Sequence, residues 1–205
     1  PGQFIVEPYF KKIQEYNRKE NRDIWEYPLN LTPFEAQRLG THLWELKDIN
    51  FAYYFFKENC SYRLLELLEV ARPSAELTDE FVLAAIPIDT VRSIEQAGFI
   101  TDYQYRPSIA SQLHFQLSTL PKELQPLLID LAENEAVLQS PDFLSLSESQ
   151  QYRALQAAYH IVRYRQAKKG RDQTSAKQSL ALLTALSGYP ARRQEEVPVP
   201  VSPEK

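Results

Sequence analysis

The chain has no methionine, one cysteine, three histidines and five glycines among its 205 residues. Each scarcity excludes something. A single cysteine cannot form an internal disulfide, and it leaves the redox compartment open. One cysteine with three scattered histidines matches no zinc-ligand spacing, so no metal is expected. Glycine-rich phosphate loops are absent, and no other cofactor motif is seen. No apolar run approaches the ~18–20 residues of a membrane helix, and no signal peptide opens the chain. Basic residues are not in excess. The formal net charge is -4 and the pI about 5.5, which argues against nucleic acid as a partner. The absence of methionine even at position 1, together with the start Pro1-Gly2-Gln3-Phe4, reads as a piece excised from a longer polypeptide.

What remains is globular in composition, with 43% hydrophobic and 24% charged residues, enough for one large domain or two small ones. Helical periodicity dominates. Pro8 can open a first helix with Tyr9, Ile13 and Tyr16 on one face. Trp25 to Leu31 reads as an extended connector. Thr32-Pro33-Phe34-Glu35 carries a capping box with proline at the first helical position, and Ala36, Leu39, Leu43 and Leu46 form the expected buried stripe. Phe51 to Phe56 is an aromatic run, a strand or a packed turn. Asn59 has the chemistry of an N-cap, followed by a stripe of Leu64, Leu65, Leu68 and Ala71 that Pro73 stops.

Further on, Asp89 is expected to cap a helix that ends at Gly98. Pro121 and Pro126 punctuate a segment with Leu127, Leu128, Leu131 and Leu138. Ser147-Glu148-Ser149-Gln150 is a second capping box, leading to Tyr152, Leu155, Tyr159 and Val162. A last helix runs through Leu180 and Leu183 towards Gly188. The stretch from Pro190 is rich in proline and charge without period, as in a linker. The expected fold class is mainly α: an irregular multi-helix domain with little or no regular sheet and a C-terminal helical extension. The division expected is 1–100 for the part bearing the cysteine, 101–189 for the helical extension and 190–205 for the linker.

Cys60 is the residue that points to chemistry. Behind an Asn59 cap it falls in the first turn of a helix. Unpaired backbone N–H groups and the positive end of the dipole there stabilise a thiolate, the nucleophilic form of the side chain. The same N–H groups could donate to a tetrahedral oxyanion. The competing reading is a buried structural cysteine packed beside Leu64 and Leu67. Among the histidines, His42 lies on the helix before Cys60, where a surface or half-buried role is the default and pairing with Cys60 would need a tertiary contact. His114 and His160 have weaker claims. Trp25, Trp44, Tyr53 and Tyr54 are read as core residues in preference to an acyl-chain pocket. Arg22, Asp23 and Glu26 fit either a buried ion-pair network or a solvated edge. The cations Arg163, Arg165, Lys168, Lys169 and Arg171 stand where a helix would end, and the dipole accounts for them; contact with anionic lipid headgroups is the minor alternative.

Tyr53, seven residues before Asn59-Cys60 at a helix start, resembles the nucleophile segment of circularly permuted papain-like proteins, the NlpC and lecithin-retinol-acyltransferase group. A second resemblance covers more of the chain. Glu20-Asn21-Arg22-Asp23-Ile24-Trp25-Glu26-Tyr27, His42-Leu43-Trp44-Glu45-Leu46, Glu58-Asn59-Cys60-Ser61-Tyr62-Arg63-Leu64-Leu65, Ala71-Arg72-Pro73 and Ile86-Pro87-Ile88-Asp89-Thr90-Val91-Arg92 are similar to the Lnb-type periplasmic domain family. That family is named for a bacterial lipoprotein N-acyltransferase and uses a Cys–His pair. The resemblance implies Cys60 as nucleophile beside Asn59, with Tyr53 and His42 as possible supporting residues. It also implies that the helices belong to a permuted papain-like α+β catalytic unit. The substrate implied is a lipid, lipoprotein or peptide, in the periplasm or at the outer membrane, with membrane proximity supplied by other parts of the parent. In the permuted arrangement the histidine precedes the cysteine near a Gly-His pair. None occurs here, so the general base is expected upstream of Pro1, and the chain alone is expected to be inactive. A cysteine acyltransferase or hydrolase is the function implied; a helical spacer or interaction module and a cell-wall peptide amidase are the alternatives.

Overall fold

Thr32 Oγ1 accepts the Glu35 backbone N–H at 3.2 Å, and a Glu35 carboxylate oxygen accepts the Thr32 N–H at 2.8 Å. This reciprocal cap starts one helix in a computed structural model of the chain that describes residues 2–52, 54, 59–81, 84–190 and 197–203. In chain order the elements are strand β1 (Gly2–Gln3), helix α1 (Tyr9–Lys12) running into a π-helical stretch (Ile13–Lys19), β2 (Ile24–Glu26), α2 (Pro33–Glu45), β3 (Asn50–Phe51), α3 (Cys60–Ala71), α4 (Pro87–Gln96), β4 (Gln104–Arg106), α5 (Ile109–Ser118), α6 (Gln125–Glu133), α7 (Pro141–Leu144), α8 (Glu148–Lys169) and α9 (Gln173–Ser187). The fold is mainly α, with strands of two or three residues.

The chain divides into two units. The first is made of residues 1–7, 25–104 and 199–205, the second of 8–24 and 105–198. In the first, α2 packs against α3, and α3 against α4. Its core is Leu65, Leu68, Leu77, Phe81, Ala85, Ile94, Phe99 and Ile100. β1 pairs antiparallel with β3, Gly2 opposite Phe51. Phe51's ring lies so close over Gly2 that a Cβ there would force the ring to move, a close approach that favours glycine. Arg72, the residue that ends α3, joins the elements. It forms a two-pronged ion pair with Glu35 at 2.6 and 3.2 Å. It also donates to the carbonyls of Asn30 and Ala97 and lies 4.1 Å from the centre of the Phe99 ring. Glu35 is held down to about 2 by the Arg72 guanidinium and the Thr32 N–H.

The second unit is a helical bundle around Leu128, Leu131, Phe143, Ala154, Leu155, Ala157, Ala158, Val162 and Leu182. The Ser147 capping box opens α8, and α8 packs against α5, α6 and α9. The segment 8–24 is bound into this unit by polar contacts. Asn17 donates to the carbonyls of Arg106 and Pro107. The Asp23 carboxylate accepts from Ser108 N–H, Ser111 Oγ and Tyr105 OH, each at 2.8 Å. Among the residues 22, 23 and 26, Asp23 therefore caps a neighbouring helix, and Arg22 pairs with Glu20 at 2.9 Å.

Several faces lie elsewhere than the leucine spacing predicts. In α3 the buried side is Leu65, Leu67, Leu68 and Ala71, and Leu64 is exposed. In α9 it is Gln178, Ser179 and Leu182, while Leu180 and Leu183 face solvent. Around α1 the buried residue is Asn17, with Tyr9 and Tyr16 exposed. Asp89 is not a cap: α4 starts at Pro87 after Ile86, and Asp89 instead pairs with Arg92 inside the helix at 2.8 Å. At the far end of the chain, Ser202 is buried with its hydroxyl 3.4 Å from that of Tyr27.

Candidate nucleophile site

Helix α3 begins at Cys60 because Asn59, itself in an extended conformation, supplies a side-chain acceptor. With φ -85° and ψ -174°, Asn59 holds its Oδ1 against the N–H groups of Ser61 (3.0 Å) and Tyr62 (3.2 Å). Its Nδ2 donates to the Ala85 carbonyl at 2.7 Å. Ala85 belongs to the core and Asn59 is itself buried. The carboxamide is thus used at both ends, once to cap α3 and once to fasten that cap to the segment before α4.

Cys60 sits at the first helical position with its side chain exposed, which overturns the reading of a structural cysteine packed beside Leu64 and Leu67. The cap also narrows the oxyanion expectation. Ser61 and Tyr62 spend their N–H groups on Asn59, so they have none to offer a substrate. Among the described residues, the N–H of Cys60 itself has no acceptor.

Arg63, one turn on, is a residue that spacing did not single out. Its Nη1 donates to both carboxylate oxygens of Glu66 at 2.8 and 3.0 Å, its Nη2 donates to the Ala52 carbonyl at 3.2 Å, and the guanidinium lies 5.0 Å from the Phe51 ring centre. It therefore ties α3 to the end of β3. The Arg63/Glu66 spacing of three residues on a helix was the available signal.

Among the described residues His42 makes no hydrogen bond to Cys60. It lines a groove of about 600 Å³ with Arg38, Arg63, Glu66 and Leu67, and its Nδ1 lies 3.3 Å from Glu45. Among the described residues no side chain is hydrogen-bonded to the Cys60 sulfur.

His114 and His160 belong to the second unit. His160 is buried, with Nδ1 between Gln116 Oε1 (2.8 Å) and the Gln156 carbonyl (3.0 Å), and burial pushes its pKa down. Tyr53 and Phe56, expected to pack near the Cys60 helix, lie outside the described residues. Two other aromatic expectations are corrected: Trp44 is 74% and Tyr54 59% exposed. Helix α2, which carries Trp44, contributes no fully buried side chain.

The motifs around Cys60 and the cap that positions it agree with a match to a family model described as the Lnb N-terminal periplasmic domain, over residues 1–97. Residues 1–97 belong to that family. The Lnb-type part therefore comprises all of α2, α3 and α4 with Asn59 and Cys60, and it marks the chain as part of a bacterial envelope protein. Residues 103–198 match a second model, a domain of unknown function (DUF7842). Segment 8–24 lies within the Lnb-type match in sequence but is folded into the second unit. No curated protein and no solved structure matches the chain.

Proposed function

We propose that the Lnb-type part supplies the nucleophile of a cysteine-dependent acyltransferase or hydrolase of the bacterial envelope, as part of a permuted papain-like unit. The observation that carries this is the exposed Cys60 at the first position of a helix whose cap is locked by three hydrogen bonds. A rigid cap holds the sulfur in one place relative to the helix dipole, which favours its anionic form. A structural cysteine would have no reason to face solvent there.

In the step proposed, the Cys60 thiolate attacks an acyl carbonyl and a C–S bond forms. The carbonyl π electrons move to oxygen, where the N–H of Cys60 is placed to donate. Collapse of the tetrahedral species breaks the bond to the leaving group, which departs as an alcohol or amine after taking a proton. The acyl-thioester then passes to an amine in a transferase, or to water in a hydrolase. The base that takes the thiol proton is a histidine; the Nδ1 of His42 lies 3.3 Å from Glu45 and among the described residues makes no hydrogen bond to Cys60. A lipid or lipoprotein acyl donor at the outer membrane fits this chemistry.

The test is turnover by the whole protein with and without Cys60→Ser, first with phospholipid donors and lipopeptide acceptors, then with cell-wall peptides. Loss of transfer from lipid donors in the variant supports the reading. Turnover of cell-wall peptides alone would replace it with an amidase. Equal activity of variant and wild type would leave α3 a helical spacer.

A further inference from the structure

After Glu148, helix α8 carries charge of one sign. Residues 149–171 contain Arg153, Arg163, Arg165, Lys168, Lys169 and Arg171 and no carboxylate, so the rest of the chain carries a net charge of -10. Five of the six cations fall in the last two turns of the helix and the residue after Gly170. The helix dipole accounts for Lys168 and Lys169, which stand in the last turn, but not for Arg163 or Arg171, because its effect fades within that turn. Gly170, at φ +87°, ends the helix and turns the chain, and Lys168, Lys169 and Arg171 are exposed on this end.

Two carboxylates stand close by. Glu133 pairs with Arg165 at 3.1 Å. Asp172 caps α9, accepting from Ser175 N–H at 2.6 Å. Among the described residues neither forms an ion pair with Arg163, Lys168, Lys169 or Arg171. Lys168 lies 4.7 Å from the Tyr164 ring centre, an aromatic of the kind enriched where protein meets lipid headgroups.

We propose that the C-terminal end of α8 with Arg171 is a docking surface for an anionic lipid bilayer. Charge complementarity selects this partner. Lys168, Lys169 and Arg171, exposed at one helix end and forming no ion pair among the described residues, are complementary to a negative plane. Lys and Arg near such a surface contribute separately, each worth about a fivefold change in binding.

The experiment is co-sedimentation of the 205-residue chain at low and physiological ionic strength. The vesicles are pure phosphatidylcholine or phosphatidylcholine with phosphatidylglycerol. Binding to the anionic vesicles alone, weakened by salt, is expected. The triple variant Lys168→Ala, Lys169→Ala, Arg171→Ala should need about a hundredfold more lipid. A control with the same charge loss elsewhere, Lys19→Ala, Lys47→Ala, Lys122→Ala, should bind as wild type. All three substituted groups at the helix end are exposed, and circular dichroism checks that the bundle remains folded. No binding by wild type, or equal loss in both triple variants, overturns the proposal. Binding to soluble polyglutamate without binding to vesicles would also overturn it, in favour of an acidic polypeptide partner.

Discussion

Asn59→Ala should destabilise the first unit by about 1.5–5 kcal/mol. Two losses add. Removing Oδ1 strips the acceptor from Ser61 and Tyr62 N–H, and loss of an N-cap costs roughly 0.5–2 kcal/mol. Removing Nδ2 leaves the Ala85 carbonyl, which sits in the core, without the 2.7 Å bond it now accepts, and an unsatisfied buried acceptor costs roughly 1–3 kcal/mol. Asn59→Ser separates the two, because its hydroxyl can still cap α3 but is too short to reach Ala85. It should therefore lose only the second amount. Both tryptophans, Trp25 and Trp44, lie in the first unit, so urea unfolding followed by tryptophan fluorescence reports this unit specifically. Equal stability of Asn59→Ala and wild type, within about 0.5 kcal/mol, would refute the claim that one carboxamide locks the helix start.

Glu35 titrates near 2 because Arg72 and the Thr32 N–H hold its ionised form. Its contribution is complete above the unfolded value near 4.5 and disappears as pH falls through about 2; Glu35→Gln should make the fluorescence-detected unfolding less acid-sensitive across that window. His160 behaves in the opposite sense. Its pKa is lowered by burial first, with Arg163 adding to the effect, so the unfolded chain takes up the proton before the folded one. Stability of the helical bundle should decline as pH drops below 6.5, and the difference in urea midpoint by circular dichroism between pH 7 and pH 5.5 should shrink in His160→Gln.

The elements legible in the sequence were those fixed by local chemistry. The Thr32 and Ser147 boxes and the Asn59 cap are each contained in four residues, and a cap works by contact within one turn. For the same reason Cys60 could be assigned to the start of a helix from Asn59 and the leucines after it. Faces were less legible. Leu64 and Leu65 both fit a helical stripe, and only the neighbouring helices decide which is covered. In α9 the buried positions include Gln178, whose Nε2 donates to the Leu131 carbonyl at 2.6 Å; hydropathy does not see such a partner. Asp23 and Arg72 act on residues far along the chain, at Ser108 and at Glu35, and no local pattern encodes those pairings. His42 was a candidate by proximity in sequence, and a pairing with Cys60 is a tertiary contact that no local pattern encodes.

The most direct measurement of the central claim is trapping of the acyl-enzyme. The whole protein is incubated with a phospholipid donor without acceptor, quenched in acid and mapped by peptide mass spectrometry. An acyl group on the peptide containing Cys60, removed by neutral hydroxylamine as a thioester should be and missing from Cys60→Ser, is the predicted result. Acylation that persists in the Cys60→Ser variant, or efficient transfer with no adduct at Cys60 under any quench time, would contradict it.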